Sequence, residues 1–127
     1  MLLRTGTRCA AALATVVLLS ACSAGPEAAV RGFYKAIDAN DIPTAKGYLS
    51  SQITDMLGDA KLDMALGEGA RSMAQCGGLD KVEVELAGEG DKRSGTATVS
   101  FDGKCPAKQD QVSLVKEEDG WKIGLGK

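Results

Sequence analysis

KVEVELAGEGDKRSGTATVSF, residues 81–101, is the stretch that decides the fold. Val82, Val84 and Leu86 alternate with Lys81, Glu83 and Glu85; beyond a glycine-rich centre, Ala97, Val99 and Phe101 alternate with Thr96, Thr98 and Ser100. A period of two sends alternate side chains to opposite faces, so each segment reads as a strand with one apolar and one wet face. Gly90-Asp91 suits a two-residue turn of the Gly-X kind. Around that turn, residues whose numbers sum to 181 stand opposite one another: Val82 faces Val99 and Val84 faces Ala97.

The same reading extends in both directions. Val112 and Leu114 alternate with Gln111 and Ser113, and a last strand holds Trp121, Ile123 and Leu125 after a turn at Asp119-Gly120. Upstream the period changes. Pro26 and Glu27 suit the first turn of a helix in which Val30, Phe33, Tyr34 and Ile37 recur opposite Arg31, Lys35 and Asp38. Asn40-Asp41 ends it and caps a short second helix carrying Ala45, Tyr48 and Leu49, and Ser50-Ser51 marks another start. Between Gln52 and Gln75 the spacing is looser. Ile53, Met56, Leu57 and Ala60 make one stripe, Met64, Ala65, Met73 and Ala74 lie further along, and Gly58, Gly67 and Gly69 divide the region into two pieces or leave a loose loop. The expectation is an α+β domain over residues 26–127, with two to three N-terminal helices packed on one face of a curved four-stranded antiparallel sheet.

Composition narrows the chemistry. Apolar residues make up 44% of the 127 and charged residues 25%, which suits a folded domain; aromatics are only 4%, so the core must rely on Ala, Val, Leu, Ile and Met. The formal charge is −2, and no basic run interleaved with aromatics offers a phosphate-backbone contact, so nucleic acid is not an expected partner. Histidine is absent. That removes Ser/His and Cys/His nucleophile pairs and imidazole zinc sites, and no metal or cofactor is expected.

Residues 1–21 read as a targeting segment: Arg4 and Arg8, then an apolar run from Cys9 to Leu19, about half of the roughly 20 residues a spanning helix needs. Leu19-Ser20-Ala21-Cys22 resembles the lipobox of small bacterial lipoproteins. The resemblance implies diacylglycerol in thioether linkage on Cys22, cleavage between Ala21 and Cys22, and acylation of the new amino terminus. It places the chain at the cell membrane, lipid-anchored on the extracytoplasmic side. Residues 22–25 then form a very short tether, and removing Arg4 and Arg8 takes the formal charge from −2 to −4.

On that reading Cys9 leaves with the signal peptide and Cys22 carries lipid, so Cys76 and Cys105 remain in an oxidising compartment. Their numbers also sum to 181, which puts both at the open end of the same hairpin and predicts a disulfide between them.

Val30 to Asp41, with Ala45 and Leu49 beyond, and the closing acidic turn with Trp121-Lys122-Ile123 resemble the opening helices and last strand of the cystatin-like, nuclear transport factor two-like cone fold. Small lipoproteins with such a domain, of unknown function, form a recognisable bacterial group. This chain departs from the fuller fold in having no clear strand between its helices.

Three functions follow as expectations. The first is a non-catalytic envelope module that binds a small apolar ligand or a membrane protein partner between helices and sheet, lined by Phe33, Ile37, Met56, Met64, Met73 and Trp121; methionine adapts to irregular cavities, although its ordinary role is core filler. The second is an accessory subunit of a membrane or cell-wall complex. The third is an isomerase or dehydratase of the same fold, needing a desolvated carboxylate and a hydroxyl donor. Asp38, Asp41 and Asp55 read as caps or solvated groups, and Phe33 occupies the place where similar steroid-isomerising enzymes carry a pocket tyrosine, so the chain is not expected to be an enzyme.

Overall fold

The computed structural model describes residues 25–125. The signal segment, Cys22 and most of the tether lie outside them. Four helices precede four strands: α1 Pro26–Asp38, α2 Ile42–Gly47, α3 Ser51–Leu57, α4 Asp59–Gln75, β1 Leu79–Ala87, β2 Lys92–Phe101, β3 Lys108–Glu117 and β4 Gly120–Gly124. Glu27 in the first turn of α1 and Lys35 in its last complement the helix dipole. Asn40 takes a left-handed conformation, φ 57°, that ends this helical stretch. The Asp41 carboxylate then accepts from the Thr44 amide (3.3 Å) to cap α2, and Ser50 accepts from Ile53 (3.4 Å) to cap α3.

The sheet is an antiparallel meander in the order β1-β2-β3-β4. Val82 pairs with Val99 and Val84 with Ala97, and the expected register holds from Lys81 to Ala87. A bulge between Leu79 and Lys81 shifts the start, so Leu79 meets Phe101. The turn is looser than a two-residue hairpin: the β1–β2 ladder stops at Ala87↔Ser94, and Lys92 and Arg93 pair instead with Val115 and Leu114 of β3. β2 therefore outruns β1, and the Lys116 amide donates to the Asp91 carbonyl (2.8 Å) to hold its extension. Between α2 and α3 the chain makes one parallel bridge, Leu49↔Ile123, in which Ser50 donates to the Ile123 carbonyl (2.8 Å) and Ile123 to that of Tyr48 (2.7 Å). This single bridge is all that stands where a strand between the helices would run, and it covers part of the β4 edge.

Cys76 and Cys105 are joined by a disulfide with a Cα separation of 5.3 Å. Beneath it the backbones touch: the Gly103 amide donates to the Cys76 carbonyl (2.8 Å), and a Cβ on Gly77 (φ +89°) would stand 2.5 Å from the Gly103 nitrogen. Only glycine fits there.

Helices and sheet meet through Val30, Tyr34 and Ile37 of α1, Leu62, Leu66 and Met73 of α4, and Val82, Ala97, Val99, Val112 and Leu114 of the strands. Gln52–Gln75 divides at Gly58, φ +82°, whereas Gly67 and Gly69 lie inside a continuous α4. The stripe that α4 buries differs from the expected one. Leu62, Leu66 and Met73 face the core, while Met64 is 67% exposed. Helical spacing puts Leu62, Leu66 and Gly69 on one side of α4 and Met64 on the other, and the first side lies against α1, with 3.5 Å from the Gly69 Cβ position to Ile37 Cγ2.

Two stability measurements follow. Chemical denaturation of Cys76→Ser/Cys105→Ser should show a loss of about 3–4 kcal/mol, the chain-entropy value for a loop of this length. Leu66→Ala should cost about 2–5 kcal/mol while Met64→Ala stays within about 0.5 kcal/mol; equal losses would contradict the burial pattern.

Candidate functional site

A groove of about 860 Å³ opens where α1 begins. Ala28 and Ala29 of α1 line one side, Gly47 and Tyr48 another, and Lys116, Trp121 and Lys122 with the Glu118-Asp119 turn close it. Tyr48 lies over Gly32, where any Cβ would overlap its ring and hydroxyl. Trp121 stands opposite Lys116 in the β3–β4 ladder. Arg93 Cζ lies 5.1 Å from the indole centroid and Lys116 Nζ 5.9 Å, within cation–π range. Lys122 fastens the wall: its ammonium donates to the Gly47 carbonyl (2.6 Å) and meets Asp119 at 3.1 Å, and that hydrogen bond holds the exposed Asp119 carboxyl below its ordinary range. A smaller groove of about 490 Å³ runs along the Ser94, Ser113 and Gly124 row and also reaches Arg93. The site thus combines an aromatic wall, an alanine floor and a rim of both charges, features that suit binding an amphipathic group.

A second constellation lies deeper. Val84, Ala97 and Asp110 form one row across the helix-facing side of the sheet, and the Tyr34 hydroxyl donates to Asp110 Oδ2 at 2.5 Å. Tyr34 is 7% exposed. Burial pushes its hydroxyl well above the ordinary value of 10.0, and the hydrogen bond and charge of Asp110 push it further in the same direction. Lys108 Nζ reaches the same carboxylate oxygen at 3.8 Å. The phenol is therefore neutral with its proton committed to Asp110, and it could donate to a substrate only by breaking that bond.

The residues expected to line a cavity do not come together. Trp121 is on the groove; Phe33 is half-buried edge-to-face with Tyr34 at 5.5 Å; Ile37 and Met73 are packed in the core. Met56 and Met64 are 58% and 67% exposed and line neither groove, because α3 buries no residue and α4 turns its other side inward. Asp38 accepts from the Leu79 amide (2.9 Å), Asp41 caps α2 and Asp55 is exposed. Tyr34–Asp110 is the pairing that sequence reasoning missed. Its signal was there: Asp110 shares the inward parity of Val112 and Leu114, and a charge on an apolar parity needs a partner. Among the described residues no group of three or more His, Cys, Asp or Glu could hold a metal ion.

Tyr34→Phe should cost about 2 kcal/mol at neutral pH. Because folding raises the Tyr34 pKa, its contribution is complete below pH 10.0 and is lost as pH rises above that value, where the unfolded chain ionises first. Thermal melts across the alkaline range should therefore fall less steeply for Tyr34→Phe than for the parent chain.

The chain matches no protein-family model and no curated protein. Among solved structures it is similar to a Campylobacter jejuni protein provisionally named an NTF2-like transpeptidase, at 19% identity and a TM-score of 0.68, over 81% of this chain and 100% of that one. At that identity the likeness speaks to architecture alone, and with the helices, meander and curved sheet described above it gives the conclusion that the chain has the NTF2-like fold.

Proposed function

We propose that the chain is a lipid-anchored module of the bacterial cell envelope, held on the extracytoplasmic side of the membrane through Cys22, that works by binding rather than catalysis. The observation that carries the binding half is the contrast between core and groove. Val30, Ala45, Ala97 and Val99 fill the space between helices and sheet at 0% exposure, whereas the groove beside Gly25 is open and aromatic-walled. Ligand, lipid or protein, is received there, at the end of the domain nearest the anchor. The anchoring half rests on Leu19-Ser20-Ala21-Cys22 and on a cysteine pair whose disulfide suits an oxidising compartment.

Catalysis is the second reading, favoured by one observation, the hydroxyl of Tyr34 held neutral against Asp110. Against it stands access: substrate would meet the one-third-exposed Asp110 side chain, while the phenol lies behind it.

Native mass spectrometry of the detergent-solubilised full chain from its host should show a retained small molecule, or crosslinking a membrane protein partner, and either should be lost in Trp121→Ala. An unoccupied, uncrosslinked chain with Tyr34-dependent turnover of a screened substrate would contradict the binding reading. Cys22→Ser should leave the precursor uncleaved and without acyl mass on gels and in intact-mass spectra; normal processing of that variant would remove the anchor.

A further inference from the structure

α3 is a seven-residue helix with no buried residue, yet it carries Ile53, Met56 and Leu57 at helical spacing. Met56 is 58% exposed and Leu57 42%. A helix this short draws its stability from packing an apolar face, and here only Ile53 packs against the core, while Met56 and Leu57 project beyond it into the open.

Its position says what covers it. The Ser51 amide and hydroxyl at the start of α3 donate to Glu117 Oε2 (3.0 and 3.2 Å), directly before the Glu118-Asp119 turn that rims the groove. Just beyond its end, Asp59 and Asp63 meet Lys46 at 3.4 and 2.8 Å, next to Gly47 on the groove wall. Both ends of α3 are thus tied to the end of the domain that holds Gly25. Only Ser23 and Ala24 stand between Cys22 and Gly25, and the three Cα-to-Cα steps reach about 10 Å at most. An acylated Cys22 would hold this end of the molecule near the phospholipid headgroups.

We propose that α3 and the adjoining groove rim seat in the phospholipid headgroup layer, with Met56 and Leu57 entering the boundary of the acyl region and Trp121 at headgroup level. The residue types match that environment: bulky flexible apolar groups on a short helix, and an indole whose ring carries cations and whose rim also bears Glu118. Such a rim offers both signs to a zwitterionic headgroup, Lys116 to its phosphate and Glu118 to its ammonium. The ligand class of the groove is then the headgroup of the host bilayer. This rests on lipidation of Cys22.

Trp121 is the chain's single tryptophan, which makes the test direct. The acylated full chain is incorporated into phosphatidylcholine vesicles with and without brominated acyl chains, with flotation scored separately. Met56→Trp in a Trp121→Phe background should lose about half or more of its emission to brominated lipid, as burial roughly 5–10 Å into the headgroup boundary requires. In the otherwise unsubstituted chain, Met56→Asp/Leu57→Asp should raise acrylamide access to Trp121 several-fold. A chain that floats with vesicles while the position-56 indole stays unquenched overturns the seating and leaves the anchor standing. A chain that does not float overturns the anchor and the seating together. Shielding of position 56 that grows with protein concentration in detergent alone assigns the face to a second copy of the chain and overturns the proposal.

Discussion

Val82 opposite Val99 and Val84 opposite Ala97 set which side of the sheet is apolar, and the rest of the molecule follows from that choice. A slip of one residue in β1 would turn Glu83 and Glu85 toward the helices and strand Val82 and Val84 in water. With the register set, Ala97 brings Asp110 onto the inward face, where Tyr34 meets it, and β2 runs on past β1 to place Arg93 near Trp121. The disulfide closes the same hairpin at its other end, where Gly77 and Gly103 let two backbone segments touch.

The two ends of the domain differ for that reason. At the disulfide end α4 is joined covalently to the loop after β2, and Asp38 ties the end of α1 to the start of β1. At the opposite end the ties are polar and partly exposed: Lys122 to Gly47, Ser51 to Glu117, Lys46 to Asp59 and Asp63. Surface ion pairs of this kind contribute little to stability, so their value is in placement. The groove, the exposed side of α3 and Gly25 at the start of α1 all lie at this second end, and the binding role proposed above would draw on that asymmetry.

Strands and cysteines were legible in the sequence because their signals are local or geometric: a period of two, a turn centre, and a pair of thiols on one register line. The helical region was harder because Gln52–Gln75 carries two overlapping apolar stripes. Met64 belongs to one and Leu62 and Leu66 to the other, and periodicity cannot say which meets the core; packing against α1, 32 residues from Gly69 at Ile37, is not written in the local sequence. Tyr34 and Asp110 are 76 residues apart, and neither flank announces the other. Of the six residues expected around a cavity, Trp121 alone reached the groove, since its neighbours Ala28, Ala29, Tyr48 and Lys122 are brought there by packing and have no motif of their own.

The central claim joins an acylated amino terminus to a body closed by one disulfide. Intact-mass measurement of the protein taken from its own membranes and treated with a thiol-alkylating reagent tests both parts at once. The account predicts a polypeptide beginning at Cys22 with added diacylglyceryl and acyl mass and no alkylation at Cys76 or Cys105. A polypeptide of bare mass at that terminus, or one alkylated twice without prior reduction, would contradict it.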